Sequence, residues 1–302
     1  SKGGALTLSK LTKQFLDPES IPPEHVMRVP DTYTGRSVIM KEISYANIAL
    51  SDTLNKRIII SPYSVNKVYE SGNITFGSWV GANGSLVSQI SNENYKYYRC
   101  VGMAATMMNT SAAGVKTPIV HTSCHAGENL GVILNGSDMG DRGHKTWELD
   151  APIRHAWCPS HEDSNSNAFE AYPFRPRDVD FNQMQSDLMS SYHPRIHFHL
   201  TNCSAAVSLQ MEITSLYEVF LTPTGLFLGG EASLVNRAIM DGLENILDQV
   251  TWAAYNKSNT AIKSYAGKVA QEIAKPGAFD KLMNGLVVIH SIYTTGNALG
   301  IF

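Results

Sequence analysis

Asp178 and Asp180 stand two residues apart in the segment RDVDFNQ, and Asn182 continues the same spacing. Carboxylate and amide oxygens are the hard ligands that Ca²⁺ prefers in proteins. The triple lacks the glycine and the terminal glutamate of an EF-hand loop. The spacing therefore leaves two interpretations open, a calcium site of another kind and a solvated turn.

Two histidines, His197 and His199, stand two residues apart in the segment HPRIHFHL. A β-strand here would place both imidazoles on one face, as in the metal sites of cupin enzymes. A cupin site also needs a glutamate a few residues later, whereas the next glutamate is Glu212. A cupin-like metalloenzyme is thus one hypothesis, and a histidine-bearing strand at a subunit contact is the other.

Other enzyme signatures are weak. His155, Cys158 and His161 have ligand types that suit zinc, but a regular partner cluster is missing, which favours an ordinary strand end and loop. No glycine-rich phosphate-binding loop of Rossmann or Walker type occurs in the sequence. Classical enzyme chemistry therefore has little support.

Short β-strands are the elements predicted to position these residues. Between residues 31 and 222, apolar or alternating runs such as RSVIMKEI, KRIIIS and RIHFHL are separated by Gly, Asn, Ser and Pro. About eight such runs, without long helices between them, predict an all-β sandwich or jelly roll.

The two ends of the chain differ from this central region. Residues 1–30 contain two possible helical turns and a proline-broken connector, which predicts an arm rather than a core element. Residues 231–274 have apolar residues at helical spacing. The uncharged tail 282–302 is long enough to span a bilayer, but its glycines and asparagines make a poor span. A tail anchor, a last core element and a membrane-active peptide remain open for this tail.

Composition narrows the class of protein further. Charged residues make up 17% of the chain, below the usual quarter, which predicts extensive burial of surface against other subunits. The net charge of −3 gives no general reason to expect nucleic acid, although residues 251–302 carry five lysines against two acidic residues. The four cysteines are sparse, which suits a reducing compartment.

The segment VPDTYTGRSVIMKEI resembles the coat proteins of nodaviruses, the alphanodaviruses of insects most closely. The matching residues are Pro30, Asp31, Tyr33, Gly35, Arg36, Val38, Lys41 and Glu42. The segments YKYYRCVGMAATMMNTSAAG and PRIHFHLTNCSAAVSLQMEITSLYEVFLTPTG resemble the central strand and the final strand pair of that family, in the same order. The resemblance extends patchily over most of the chain.

This resemblance implies a capsid protein rather than an enzyme, with an eight-stranded antiparallel jelly-roll fold, an extended N-terminal arm and C-terminal α-helices. It divides the chain into an internal arm (1–30), a shell domain (31–222) and a helical region with a membrane-active tail (223–302). It implies a T=3 icosahedral shell of about 180 copies around single-stranded RNA, a closed symmetric assembly. The virion would assemble in the host cytoplasm, and a basic, disordered genome-binding arm is expected upstream of Ser1.

The resemblance also implies binding sites. RNA contacts would be dominated by phosphate and mostly independent of sequence. The lysines expected to make them, if they are not simply solvated, are Lys2, Lys10, Lys13, Lys257, Lys263 and Lys268. Calcium would bind between subunits at Asp178 and Asp180, so that its chelation loosens the particle.

In the family, an acidic residue matching Glu42 promotes self-cleavage after an asparagine near the C-terminus. The corresponding bond here is Asn259-Thr260, and its cleavage would release residues 260–302 as a lytic peptide that acts on the host membrane. Thr260 departs from the alanine or serine of the family, and Glu42 departs from its aspartate.

Overall fold

The computed structural model describes two antiparallel sheets and one long helix. The described residues are 2–28, 37–50, 55–62, 68–71, 78–80, 97–125, 145–157 and 195–220, together with Ile239, Gly242, Leu243, Ala254, Tyr255, Gln271, Lys275 and Gly277.

Eleven strands occur in this part of the chain. They are β1 (Ser37–Ala49), β2 (Asn55–Ile60), β3 (Val68–Ser71), β4 (Ser78–Val80), β5 (Tyr97–Asn109), β6 (Ile119–His125), β7 (Lys145–Glu148), β8 (Ile153–Ala156), β9 (Arg195–Thr201), β10 (Ser208–Phe220) and β11 (Ala254–Tyr255). Sheet A has the order β1-β10-β5-β8-β11, and sheet B has the order β4-β3-β2-β9-β6-β7. The described strands therefore number eleven rather than the expected eight.

Eight of these strands follow the order of a jelly roll. Without β3, β4 and β11, the sheets read β1-β10-β5-β8 and β2-β9-β6-β7. Of these eight strands, every consecutive pair except β6 and β7 crosses from one sheet to the other, as in paired Greek keys. The two sheets meet where the Tyr217 hydroxyl in β10 donates to the Pro62 carbonyl just after β2, at 2.7 Å. The all-β, antiparallel prediction is confirmed.

The core lies between the sheets, and side chains alternate between the two faces of each strand. In sheet B both faces are buried, since the consecutive residues Ile58, Ile59 and Ile60 are all fully buried. In β1 the alternation is less usual, because Glu42 is buried while its neighbour Ile43 is 48% exposed. The side of sheet A that faces sheet B carries Tyr217, and its opposite side is called the outer face of sheet A.

An α-helix occupies the place of the expected extended arm. Helix α1 (Lys2–Leu16) is followed by two 3-10 turns, Pro18–Ser20 and Pro23–His25. Leu8, Leu11 and Phe15 recur at spacings of three and four residues, so they form one stripe of the helix, and all three are fully buried. Phe15 stacks on Trp157, with ring centroids 6.5 Å apart. The expectation of an extended arm is wrong, because this apolar stripe is buried as one face of a helix.

The helix contacts sheet A at a β-bulge in β5. The register shifts between Leu216 and Tyr217, which pair with Gly102 and Cys100, so Val101 is the extra residue. The Gln14 side-chain amide donates to the Val101 carbonyl at 2.9 Å. A Cβ atom on Gly102 would lie 2.9 Å from the Gln14 carbonyl oxygen, so only glycine allows this close approach.

The C-terminal region is described only at a few residues. Ile239, Gly242, Leu243 and Gln271 are helical, in agreement with the expectation of helices there. Ala254 and Tyr255 instead form β11, which pairs with His155 and Arg154 of β8. A strand therefore interrupts the region that was predicted to be helical.

We predict that Gly102→Ala destabilises the fold by about 1–3 kcal/mol, because the added methyl group meets a backbone carbonyl that cannot rotate away. Urea unfolding followed by tryptophan fluorescence measures this loss. Limited proteolysis should also show that residues 2–28 become more sensitive to cleavage.

The matched control is Gly114→Ala, at a position with φ of 86° and no atom near the added group. It should cost about 1 kcal/mol from backbone strain alone and leave residues 2–28 protected. Wild-type stability and protection in the Gly102→Ala variant would contradict the proposed close contact.

Candidate functional site

The best-defined polar site lies where the N-terminal segment, residues 2–28, crosses the outer face of sheet A. Arg154 of β8 donates to both carboxylate oxygens of Glu19, each at 2.6 Å. Its Nη2 atom also donates to the Leu16 carbonyl at the end of α1, at 2.8 Å. Arg154 is 2% exposed, so this guanidinium exchanges water for a bidentate carboxylate and a helix carbonyl.

Two further cationic side chains attach the same segment to sheet A. Lys41 of β1 donates to the Glu19 carbonyl at 2.7 Å and to the Ile21 carbonyl at 2.9 Å. Arg28 pairs with Glu218 of β10 at 2.9 Å, and the Glu218 side chain is fully buried. Strands β1, β8 and β10 thus all contribute charged groups to this face.

Burial and these charges shift two pKa values. Burial of Glu19 would raise its pKa, but the charge and hydrogen bonds of Arg154 outweigh burial and hold the pKa below its usual value. Burial lowers the pKa of His155 to about 4; its hydrogen bond with the Ala156 carbonyl opposes the shift, and the Arg154 charge adds to it. His155 is therefore neutral in the folded protein near pH 7.

Helix α1 carries the N-terminal lysines predicted to contact RNA. The segment from Lys2 to Leu16 contains three lysines and no acidic residue. Lys10 is exposed and Lys13 is half-buried, three residues apart on one face of the helix. For Lys2 only the backbone is described, and Lys257, Lys263 and Lys268 lie outside the described residues.

Glu42 is buried, as the family resemblance implies, with 6% exposure in β1 opposite Ser215. Asn259 and Thr260 lie outside the described residues; the nearest preceding one is Tyr255 in β11. Strands β1 and β11 are opposite edges of sheet A, about 19 Å apart at the usual strand spacing. Four residues span at most about 14 Å, which is shorter than the separation of these two strands in one chain.

The two histidines of the metalloenzyme hypothesis do share a strand face. His199 of β9 pairs with His121 of β6 and with Arg57 of β2, and His197 occupies the next position on that face. His197 and His199 are only 2% and 1% exposed. Both side chains are therefore buried within one chain and do not form a surface for a subunit contact. Among the described residues no group of three or more ligands could hold a metal. An arginine beside His199 also disfavours a cation, and the enzyme alternative gains no support.

The remaining site predictions fall outside the described residues. These are the calcium ligands Asp178 and Asp180 and the tail 282–302. Within the part of the chain that the structure covers, no helix has both the length and the apolarity needed to cross a membrane.

The polar groups that hold the N-terminal segment escaped prediction from the sequence. Gln14, Glu19 and Arg154 belong to no motif, and 135 positions separate the two charged partners. The one available signal was the stripe of Leu8, Leu11 and Phe15, which predicts a helix with a buried face.

Comparison with solved structures identifies the fold. No protein-family model matches the sequence, and no curated protein matches it. A chain of the T13 particle of infectious bursal disease virus is 10% identical and aligns over 94% of this chain and 100% of its own, with a TM-score of 0.59. VP2 in the subviral particle of the same virus is 10% identical and covers 86% of this chain and 99% of its own, also with a TM-score of 0.59. At this identity the likeness concerns the fold, which is one found in viral particle proteins.

A nodavirus structure also matches, but more loosely. The chain of the semi-empty virus-like particle of the Macrobrachium rosenbergii nodavirus, from the giant freshwater prawn, is 10% identical and covers 64% of this chain and 97% of its own. Its TM-score of 0.41 is too low to support an argument. The resemblance to nodaviruses in particular thus stays a prediction.

The buried His155 generates a prediction about acid stability. Its pKa of about 4 in the folded state lies below the ordinary value of 6.5, so the unfolded chain binds the proton more readily. The stabilisation is complete above about pH 6.5 and is lost as the pH falls towards about 4, by up to about 3 kcal/mol. Urea unfolding between pH 7 and pH 4 measures this slope.

His155→Phe should flatten that slope, because the substituted side chain does not titrate. The control is His25→Gln, at an exposed position, which should leave the slope unchanged. An unchanged slope in the His155→Phe variant would show that other groups carry the acid sensitivity.

Proposed function

We propose that this chain is the coat subunit of an icosahedral virus and that it encloses single-stranded RNA. The observation that carries the proposal is the alignment of nearly the whole chain with proteins of viral and subviral particles. The jelly-roll strand order gives the same kind of building block, a two-sheet wedge with connections at its ends. The role is structural, with the virion as its location and other copies of the chain as its first partners.

The finer features rest on the nodavirus resemblance. We propose a T=3 shell, because the resemblance implies it, whereas the particles with the shared fold include a T13 and a T=1 form. The same proposal includes calcium bound at Asp178 and Asp180 and a membrane-active tail. It also includes phosphate contacts from six lysines, which are Lys2, Lys10, Lys13, Lys257, Lys263 and Lys268. Assembly in the host cytoplasm follows from it as well.

Exposed apolar side chains suggest where subunits touch. Ile43 and Tyr45 lie on the outer face of the edge strand β1 and are 48% and 44% exposed. Contiguous exposed apolar patches, unlike single scattered residues, mark protein–protein contact sites. We therefore propose that both side chains are covered by a neighbouring copy in the shell.

Expression of the full chain should yield shells tens of nanometres across in size-exclusion chromatography and negative-stain electron microscopy. Ile43→Glu should leave soluble, folded subunits that do not close into shells, because a charge would be buried at the contact. Asn47→Asp, an exposed change on the same face of β1, is the control and should assemble. Monomers or small oligomers of the wild-type chain would reject the coat-protein function.

Self-cleavage after Asn259 is the finer proposal with the sharpest test. Because β1 and β11 are opposite edges of sheet A, we propose that Glu42 acts on Asn259 of a neighbouring subunit. Intact mass should show loss of residues 260–302 from assembled wild-type chains, and neither Glu42→Gln nor Asn259→Ala shells should be cut.

Mixed shells of the two variants should regain cleavage, since the Asn259→Ala chains supply the acid and the Glu42→Gln chains supply the bond. A mixed shell without product would place the acid and the bond in one chain. A wild-type shell that keeps its full mass under maturing conditions would reject cleavage at Asn259.

A further inference from the structure

A cavity of about 470 Å³ opens between α1 and residues 20–27 on the side of the N-terminal segment. This volume lies within the range of about 300–1,000 Å³ typical of small-molecule sites. Lys10 and Lys13 line the helix side. Ile21, Val26 and Met27 line the opposite side, with His25 at the same wall. The cavity thus joins a basic wall to a largely apolar one.

The loop that forms the apolar wall is held at both ends. At its start, the Lys41 ammonium group binds the Ile21 carbonyl at 2.9 Å. At its end, the Gln14 side chain accepts from the Met27 backbone N–H at 2.7 Å and donates to the Met27 carbonyl at 3.2 Å. Pro22 and Pro23 restrict the backbone between these points. The cavity is therefore preformed, and a ligand would lose little affinity to ordering of the loop.

The two walls match a ligand that has both an anionic part and a weakly polar part. Two ammonium groups three residues apart on a helix match one phosphate or two adjacent phosphates. Ile21, Val26 and Met27 match a flat, weakly polar group that water solvates poorly, and the His25 ring offers a surface for stacking. A fully apolar ligand would leave the lysines unused, and inorganic phosphate would leave the apolar wall unused.

We propose that this cavity binds a nucleoside phosphate, with the phosphate at Lys10 and Lys13 and the base against Ile21, Val26 and Met27. A free nucleotide and one unit of single-stranded RNA share this chemistry. The RNA source rests on the proposed function, and it adds that the N-terminal segment of the subunit holds an unstacked base of the RNA rather than phosphates alone. Glu24 also lines the cavity, so its carboxylate opposes binding of the anion.

Fluorescence anisotropy with the full chain and a labelled single-stranded RNA hexamer tests the proposal. An abasic backbone of equal length and charge should bind about tenfold more weakly or worse, because it lacks the base. Adenosine monophosphate should compete with the hexamer, whereas inorganic phosphate at the same concentration should not. Equal affinity for the abasic and the normal hexamer would overturn the base-binding cavity.

Variants separate the cavity from general electrostatics. Lys10→Ala/Lys13→Ala should weaken hexamer binding about tenfold or more and reduce the slope of log affinity against log salt by about 1.4. Glu24→Gln should tighten binding, and Lys116→Ala, an exposed lysine on the β5–β6 connection, should leave it unchanged. Equal losses in the Lys116→Ala and the double variant would also overturn the proposal.

The result of the RNA-binding experiment can be separated from the result of the shell-assembly experiment. If the chain forms shells but binds the normal and the abasic hexamer equally well, only the base-binding cavity is rejected. Competition by adenosine monophosphate in a chain that forms no shells would support a free-nucleotide site and reject the RNA source. Unfolding of the double variant in urea should match the wild type, since Lys10 is exposed and Lys13 half-buried.

Discussion

The approach of α1 to the bulge in β5 is the contact on which the outer face of sheet A depends. The bulge leaves the Val101 carbonyl outside the ladder, and Gln14 supplies the donor that a buried carbonyl requires. Gly102 provides the space, because any side chain there would push the helix away. The same Gln14 side chain holds Met27, so one amide sets both the depth of the helix and the course of the chain after it.

Several cationic side chains of this protein hold the fold together. Arg154 and Lys41 bind backbone carbonyls and Glu19, so they fasten the N-terminal segment instead of facing solvent. A second buried cation, Arg57, lies in a row with His199 and His121 on sheet B. On α1, by contrast, Lys10 is exposed, so the net charge of the chain does not tell which of its cations are buried in the fold and which face solvent.

The longer strands could be predicted, and the shorter ones could not. Strands β5 and β10 each carry 13 residues of alternating or apolar sequence, whereas β7 and β8 have four residues with charged members. The faces of β1 were harder still, because Glu42 lies inside and Ile43 outside, against the hydrophobic pattern. For the site, the lysines of α1 were visible in the sequence, but the Glu19–Arg154 pair joins residues too distant for any local pattern.

The position of α1 also constrains how the chain is made. Helix α1 and the segment after it are synthesised before the strands that hold them, which supply Gly102 of β5, Arg154 of β8 and Glu218 of β10. Glu218 pairs with Arg28 at a separation of 190 residues. While the ribosome completes these strands, the apolar stripe of Leu8, Leu11 and Phe15 has no surface to cover it. The helix therefore docks through contacts of long sequence separation, and its apolar stripe is open to aggregation until those strands are in place.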